Sequence, residues 1–229
     1  MLDHGGSLYM LTPSDLTADF IRRLQMFVLR AKVQFAVNEP LIPVGILGAV
    51  EAVPDAIPGF QVGAETARTV CLLPPEQISR LPAAREVDMK FWRLADIVHG
   101  IPQIYPATRE LFIPQHINLD LVDGVSFKKG CYPGQEIVAR VKYRGRAKQR
   151  LLAGIAAGNA CPQPGDALFH AGAEHRKAGA VVDAVAIEPG KFCLSAAAPA
   201  PLTGELAVGA GATLAILKLP YTTKQPAAD

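Results

Sequence analysis

Apolar residues recur at three-to-four spacing in two places along the chain. Leu16, Phe20, Leu24, Phe27 and Ala31 follow Ser14-Asp15 in this way, which predicts a helix over 15–32 with a polar cap at its start. Val87, Phe91, Leu94, Ala95 and Val98 predict a second helix over 84–99. Gly100 ends it, and Ile101-Pro102 confirms the stop. Between the two, Val33–Val37 alternates as a strand does, and Val44–Val50 reads as a short strand among turns. Arg68–Leu73 reads as a further strand, stopped by Pro74-Pro75. The first hundred residues are therefore α+β.

The text then changes. Residues 101–127 have little periodicity, and Pro102, Pro106 and Pro114 predict extended chain laid over a surface. From Leu151 onward come short apolar runs: Leu151–Ala157, Ala167–His170, Ala178–Ile187, Phe192–Ala196 and Thr213–Leu217. Pro164-Gly165, Pro189-Gly190 and Thr203-Gly204 separate them. That spacing predicts a small β-barrel or sandwich, with a boundary near 148–151. The alanine-rich stretch Ala196–Ala200 reads as a flexible loop.

Composition narrows the class. Of 229 residues half are hydrophobic, enough for real cores, which excludes a mainly disordered chain. The 20 glycines and 19 prolines favour many short elements over a helical bundle. No charge-free stretch approaches the roughly 18 apolar residues of a membrane span, and no secretory leader pattern opens the chain. Cys71, Cys131, Cys161 and Cys193 form no CxxC and no zinc-finger pairing with histidine. The expectation is a cytoplasmic protein in a reducing compartment, with no membrane partner and no stable metal site.

Charge changes the picture more than composition does. The net charge is only +2, yet 128–150 holds Lys128, Lys129, Arg140, Lys142, Arg144, Arg146, Lys148 and Arg150 against Glu136 alone. The remaining 15 cations are outnumbered by 20 acids, so one basic surface on an acidic body predicts an anionic partner. Arg140, Lys142, Arg144 and Arg146 alternate at period two, and in a strand they would form a ladder on one side. Such a ladder suits RNA phosphate, a polyglutamate tail or an acidic protein face, and equally a solvated strand face. No aromatic interleaving of the kind seen in single-strand platforms is evident, nor any RRM, KH or zinc motif.

The chemistry lies in the same region. Lys129-Gly130-Cys131-Tyr132-Pro133-Gly134 reads as a tight turn, with Gly130 and Gly134 open to backbone conformations closed to other residues. Pro133 is placed to open a helix through Glu136, leaving Cys131 just before a helix N-terminus with two lysines behind it. Both features favour a thiolate, which predicts a thiol pKa below the free value of about 8.5 and a group able to attack an electrophile or meet a soft metal. The plainer alternative is an inert packing cysteine, which is the reading for Cys71, Cys161 and Cys193. Gln135 and Glu136 can cap the helix or hold a ligand. His116 is the histidine nearest in sequence, so a Cys131–His116 nucleophile–base pair is conceivable, though no evident His/Asp arrangement supports a cysteine hydrolase. Trp92 reads as core.

These residues carry a resemblance. Lys129-Gly130-Cys131-Tyr132, Gly134-Gln135-Glu136 and Arg140, preceded by Asn118-Leu119 and Gly124-Val125-Ser126-Phe127, closely resemble the YgfZ family, and Leu219-Pro220-Tyr221 looks like its C-terminal ending. That family is similar in fold to the glycine-cleavage T-protein, an aminomethyltransferase. The resemblance implies an α+β, T-protein-like folate-binding body with an incomplete first domain, followed by a small C-terminal β-barrel. The expected division is an incomplete first α+β subdomain over 1–85, a second carrying the motif over 86–149, and the barrel over 150–229. The implied function is a folate-linked factor for assembly or repair of iron–sulfur clusters in client enzymes, including tRNA-modifying ones. It would use Cys131 as a reactive thiol, with Lys129, Gly130, Tyr132, Gly134, Gln135, Glu136 and Arg140 as the other motif positions. Tetrahydrofolate is the implied cofactor, and iron–sulfur client or assembly proteins are the implied partners, with possible RNA contact. Lys142, Arg144 and Arg146 would dock an anion or partner. Relative to the family the chain begins inside the first domain. Val98 stands where the T-protein pattern has a glutamate for the pterin ring, leaving Glu110 as the candidate folate-binding acid. The alternatives are a tetrahydrofolate-dependent aminomethyltransferase and an RNA-binding module using 140–150.

Overall fold

In a computed structural model the chain forms two compact units, Met1–Asp88 and Met89–Asp229. The structure describes residues 2–4, 6–37, 41–48, 57–61, 68–79, 81, 85–209 and 212–223.

The first unit holds a hairpin of β1 (Leu2–His4) and β2 (Ser7–Tyr9), helix α1 (Ser14–Gln25), and a three-stranded antiparallel sheet. In that sheet β5 (Arg68–Leu73) lies between β3 (Ile42–Leu47) and β4 (Ile57–Gln61). β5 falls where the sequence predicts it. Cys71, Leu72 and Leu73 are buried, and Pro74 stops the strand before the short helix α2 (Pro75–Ile78). Helix α1 ends well short of the predicted 32. It buries none of its residues, and Leu29 beyond it is 88% exposed, so no packing extends the apolar stripe. Val33–Val37 forms no strand; Val33 and Val37 are exposed and pair with nothing in a sheet. The end of the predicted Val44–Val50 strand lies outside the described residues.

The second unit is built on a curled antiparallel sheet. Its strands are β6 (Gln149–Ala157), β7 (Ala167–His170), β8 (Ala173–Glu188), β9 (Lys191–Pro199), β10 (Leu206–Val208), β11 (Ala212–Thr213) and β12 (Ala215–Leu217). Their order is β11-β10-β7-β8-β9-β6-β12. The two edge strands are consecutive in the chain, separated by Leu214 alone, so the sheet must curl until its edges converge. Leu214 marks the meeting point. Its N–H donates to the Leu206 carbonyl at 2.7 Å, and its side chain lies against Gly154, where a Cβ would collide with it. The predicted barrel region is thus a barrel-like half-closed sheet.

Alternation along these strands divides two cores. Leu152, Ala156, Leu194, Ala196, Ala198 and Leu206 point into the curl with Leu168, Val181 and Leu214. Leu151, Ala153, Val182, Val185, Cys193 and Ala197 point outward, and they too are buried. Helix α3 (Met89–His99) covers one part of that outer face with Leu94, Ile97 and Val98. Residues 101–120 cover another with Ile104, Phe112, Ile117 and Leu119. They run irregularly, as the prolines predict, with two 3-10 turns at Pro106–Thr108 and Pro114–Ile117.

The covering of both faces corrects the reading of Ala196–Ala200. Most of that stretch is strand β9, with Ala196, Ala197 and Ala198 buried, and Gly179 passes so close to the Ala197 carbonyl that a Cβ there would collide with it. Strand β10 was not predicted; three residues are too few to show a period. Helix α3 begins at Met89 rather than 84. It ends as predicted at Gly100, whose φ of +65° and contact with the Tyr221 hydroxyl leave no room for a Cβ.

Candidate functional site

The loop around Cys131 is reached from the sheet through a chain of polar contacts. Arg150, at the start of β6, is buried and forms a two-pronged pair with Asp120, Nη1 to Oδ1 at 2.6 Å and Nη2 to Oδ2 at 3.1 Å. The same Nη1 donates to the Gln115 carbonyl at 3.0 Å. Asn118, left-handed at φ +59°, donates from Nδ2 to the Leu151 carbonyl and accepts the Leu151 N–H at Oδ1. It thereby pairs with β6 as a neighbouring strand would. Tyr221 completes this frame, donating to the Gly100 carbonyl at 2.6 Å, with its oxygen 3.3 Å from Asn118 Nδ2. From this anchored turn, buried Gln115 donates through Nε2 to the Val138 carbonyl at 2.7 Å, within helix α4 (Gln135–Arg144). Asn118 stood in the recognisable motif and Gln115 just before it, but nothing in the sequence revealed that they suspend a helix from the sheet.

The entry to α4 is built by its own first residue. Gln135 donates its backbone N–H to the Tyr132 carbonyl and accepts the Tyr132 N–H at Oε1, both at 3.2 Å. This closes a turn over Pro133-Gly134. Gly134 has a φ of +85° and therefore needs to be glycine, whereas Gly130 has neither a positive φ nor a neighbour that would exclude a Cβ. Pro133 lies in this turn, ahead of the helix rather than at its first position, so Cys131 is four residues before α4 begins. Lys129 Nζ sits 4.3 Å from the centre of the Tyr132 ring, a cation–π contact that folds the loop back on itself. Cys131 is exposed.

Helix α4 removes the ladder that the cations at 140–146 would form in a strand. A strand would align Arg140, Lys142, Arg144 and Arg146. The helix instead puts Arg140 and Arg144 one turn apart on its outer face and turns Lys142 roughly 200° away from Arg140. Lys142 lies over the Phe127 ring at 5.1 Å. The physical reason lies in the uncharged residues: Gln135, Val138 and Val141 recur every three positions and form the seam on which the helix rests, with Val138 buried. Arg146 and Lys148 are exposed beyond its end. Arg150, counted with the basic surface in the sequence, is removed from it by burial against Asp120. The fold also creates the aromatic interleaving that the sequence did not display. Phe127 comes from the loop and packs edge to face with Tyr143, ring centres 6.3 Å apart.

The other candidates are dispersed. Cys71 and Cys193 are buried and Cys161 packs against the inner core; burial raises all three thiols, Cys193 to about 11. Their packing role holds. His116 is half-buried in the second 3-10 turn, and burial together with nearby Arg150 lowers its pKa. Among the described contacts none joins it to Cys131. Glu136 is exposed in the first turn of α4, where an acid favours the positive helix end. Trp92 is half-buried on α3. Buried Asp183 accepts from Arg93 and, at 2.8 Å, from the Tyr105 hydroxyl, fixing α3 and the 101–108 segment to β8. Sequence reasoning passed over this strut, because its members are 78 and 90 positions apart.

Val98 packs into the apolar cluster of Ile97, Val185, Cys193 and Leu219, and Glu110 is exposed at a left-handed turn residue with φ +60°. Among the described residues no group of three or more His, Cys, Asp or Glu is placed to hold a metal ion, and no helix is long and apolar enough to cross a membrane.

The fold and the loop together define a class: a curled β-sheet bearing a suspended helix, which presents one exposed thiol at a glycine-closed turn. No family model matches the chain. A tRNA-modifying protein YgfZ of Aliivibrio fischeri is 44% identical over 118 residues, 50% of this chain and 36% of that protein. Its counterpart of the same name in Pectobacterium carotovorum is 40% identical over 141 residues, 58% of this chain and 42% of that protein. A Haemophilus influenzae protein without a described activity is 34% identical over 145 residues, 63% of this chain and 49% of that one. These matches support membership of the YgfZ family. It spans between a third and a half of the length of these relatives.

Proposed function

We propose that this chain acts in tRNA modification as a thiol-bearing factor that serves the iron–sulfur clusters of modifying enzymes, with Cys131 as its working residue. The observation that carries the reading is the contrast among the four cysteines: Cys131 alone is exposed, on a loop held by the Gln135–Tyr132 pair and by Lys129 over Tyr132. The printed names of its relatives supply the link to tRNA modification. The cluster link and the folate link come from the family resemblance.

Chemically, an exposed thiol can attack an electrophile or ligate a soft metal once deprotonated. The described residues provide no companion ligands, so a cluster meeting Cys131 would be cargo held mainly by the client. The α4 turn would keep the sulfur projecting while Gln115 and Asn118 hold the helix in place. In an aminomethyltransferase a glutamate would meet the pterin ring at the Val98 position, and Val98 is engaged in apolar packing instead.

The test is complementation. Cells lacking their own YgfZ and carrying this chain should recover thiolated tRNA and the activity of cluster-dependent enzymes, and Cys131→Ser should abolish that recovery while remaining folded. Full recovery with Cys131→Ser would remove the thiol from the account. Equilibrium binding of tetrahydrofolate tests the folate part separately.

A further inference from the structure

Helix α4 has an outer face that the thiol reading leaves unused. At about 100° per residue, Tyr143, Glu136, Arg140, Arg144 and Ile137 fall within an arc of about 120°, opposite the seam of Gln135, Val138 and Val141. Tyr143 is 69% exposed and Ile137 58%. Among the described residues no carboxylate comes within ion-pair distance of Arg140 or Arg144, and both are exposed. Lys128, Arg146 and Lys148 extend the positive field from the loop and from the helix end.

We propose that this face of α4 binds single-stranded RNA directly, with an unstacked base on the Tyr143 ring and backbone phosphates on Arg140 and Arg144. This rests on the proposed role in tRNA modification and names how the nucleic acid would be held. The Tyr143 ring is braced by Phe127 edge to face rather than by burial, so it is fixed in orientation and still open to solvent. A base has a π-face whatever its identity, so such a ring takes any sequence. The two arginines lie one helical turn apart, about 6 Å along the axis, both to one side of Tyr143 at roughly 60° and 100° around the helix from it. An acidic protein partner fits less well. Protein interfaces have an apolar centre and few lysines, whereas this surface has two apolar side chains amid cations.

The experiment is fluorescence anisotropy of a labelled 12-nucleotide oligouridine RNA with the whole chain across a salt series. Binding should weaken steeply with salt. The double variant Arg140→Ala/Arg144→Ala should lower the log–log salt slope by about 1.4, from about 0.7 for each lost phosphate. Tyr143→Ala should weaken binding about tenfold with the slope unchanged, and Tyr143→Phe should restore it. Cys131→Ser should bind as well as the parent. Absence of binding at low salt, an unchanged slope in the folded double variant, or tighter binding of polyglutamate than of RNA would each overturn the proposal. The two readings fail separately. Cys131-dependent tRNA modification without RNA binding removes only this inference, and α4-dependent RNA binding with a fully active Cys131→Ser removes only the thiol role.

Discussion

The curled sheet and the α4 region are linked through Gln115, which Arg150 holds on one side and which holds Val138 on the other, yet they are stabilised by opposite means. In the sheet, β9 is buried on both faces and its side chains touch either the inner core or the cover of α3 and residues 101–120. In the 124–144 region only Val138 is fully buried, and position is kept by a few directed contacts: Gln115 to Val138, Gln135 to Tyr132, Phe127 to Tyr143. Apolar burial gives the sheet its stability, at about 1.5–3 kcal/mol per large side chain. Directed polar contacts each contribute about 1 kcal/mol but fix orientation. The lesson is that stability and presentation are separated: the sheet can be rigid so that the thiol and the helix face can remain exposed.

Substitutions can break that separation, and the largest effects belong on the sheet side. Asp120→Ala should destabilise by about 4 kcal/mol, because it leaves the Arg150 guanidinium buried without its carboxylate. Denaturant unfolding measures this, and it should also loosen α4 through Gln115. Leu194→Ala, in the inner core, should cost about 3 kcal/mol with no independent effect on the loop. Tyr221→Phe removes the hydrogen bond to the Gly100 carbonyl and should cost about 1 kcal/mol. Cys131→Ser and the Arg140/Arg144 alanine variants should stay within about 0.5 kcal/mol of the parent, since their side chains are exposed.

Thiol chemistry sharpens the same comparison without any substitution. Native-state labelling near neutral pH should modify Cys131 first, with Cys71 and Cys193 protected until the chain unfolds. Burial raises Cys193 from its ordinary 9.0 to about 11, so the folded state holds its proton after the unfolded chain has released it. Its contribution to stability is complete below about pH 9 and is lost as pH rises to about 11. Tyr105, raised by burial and by Asp183, adds to the alkaline loss in the same sense. A urea midpoint that falls through this window, with no such fall between pH 7 and 8.5, is the expected result.

The regions also differ in how far the sequence reveals them. Strands β5 and β7 and the end of α3 are legible because Pro74, Gly165 and Gly100 punctuate them and backbone geometry enforces the break. Ala196–Ala200 misleads because alanine runs suggest looseness in isolation, whereas here Ala196 and Ala198 pack into the inner core and Ala197 beneath the outer cover. The α4 cations mislead for a related reason. Their period of two concerns exposed charges, which do not determine the backbone, while the less conspicuous Gln135, Val138 and Val141 do. Cys131 is legible as chemistry from its motif, but its exposure and the sheet-to-helix path through Arg150, Gln115 and Asn118 depend on residues brought together from up to 35 positions apart. Local pattern carries no record of such pairings.

The most direct test of the central claim is the level of thiolated tRNA in cells lacking their own YgfZ and expressing this chain, Cys131→Ser or Cys161→Ser at matched abundance. The account predicts recovery with the parent and with Cys161→Ser, and none with Cys131→Ser. Recovery with Cys131→Ser equal to that of the parent would contradict it.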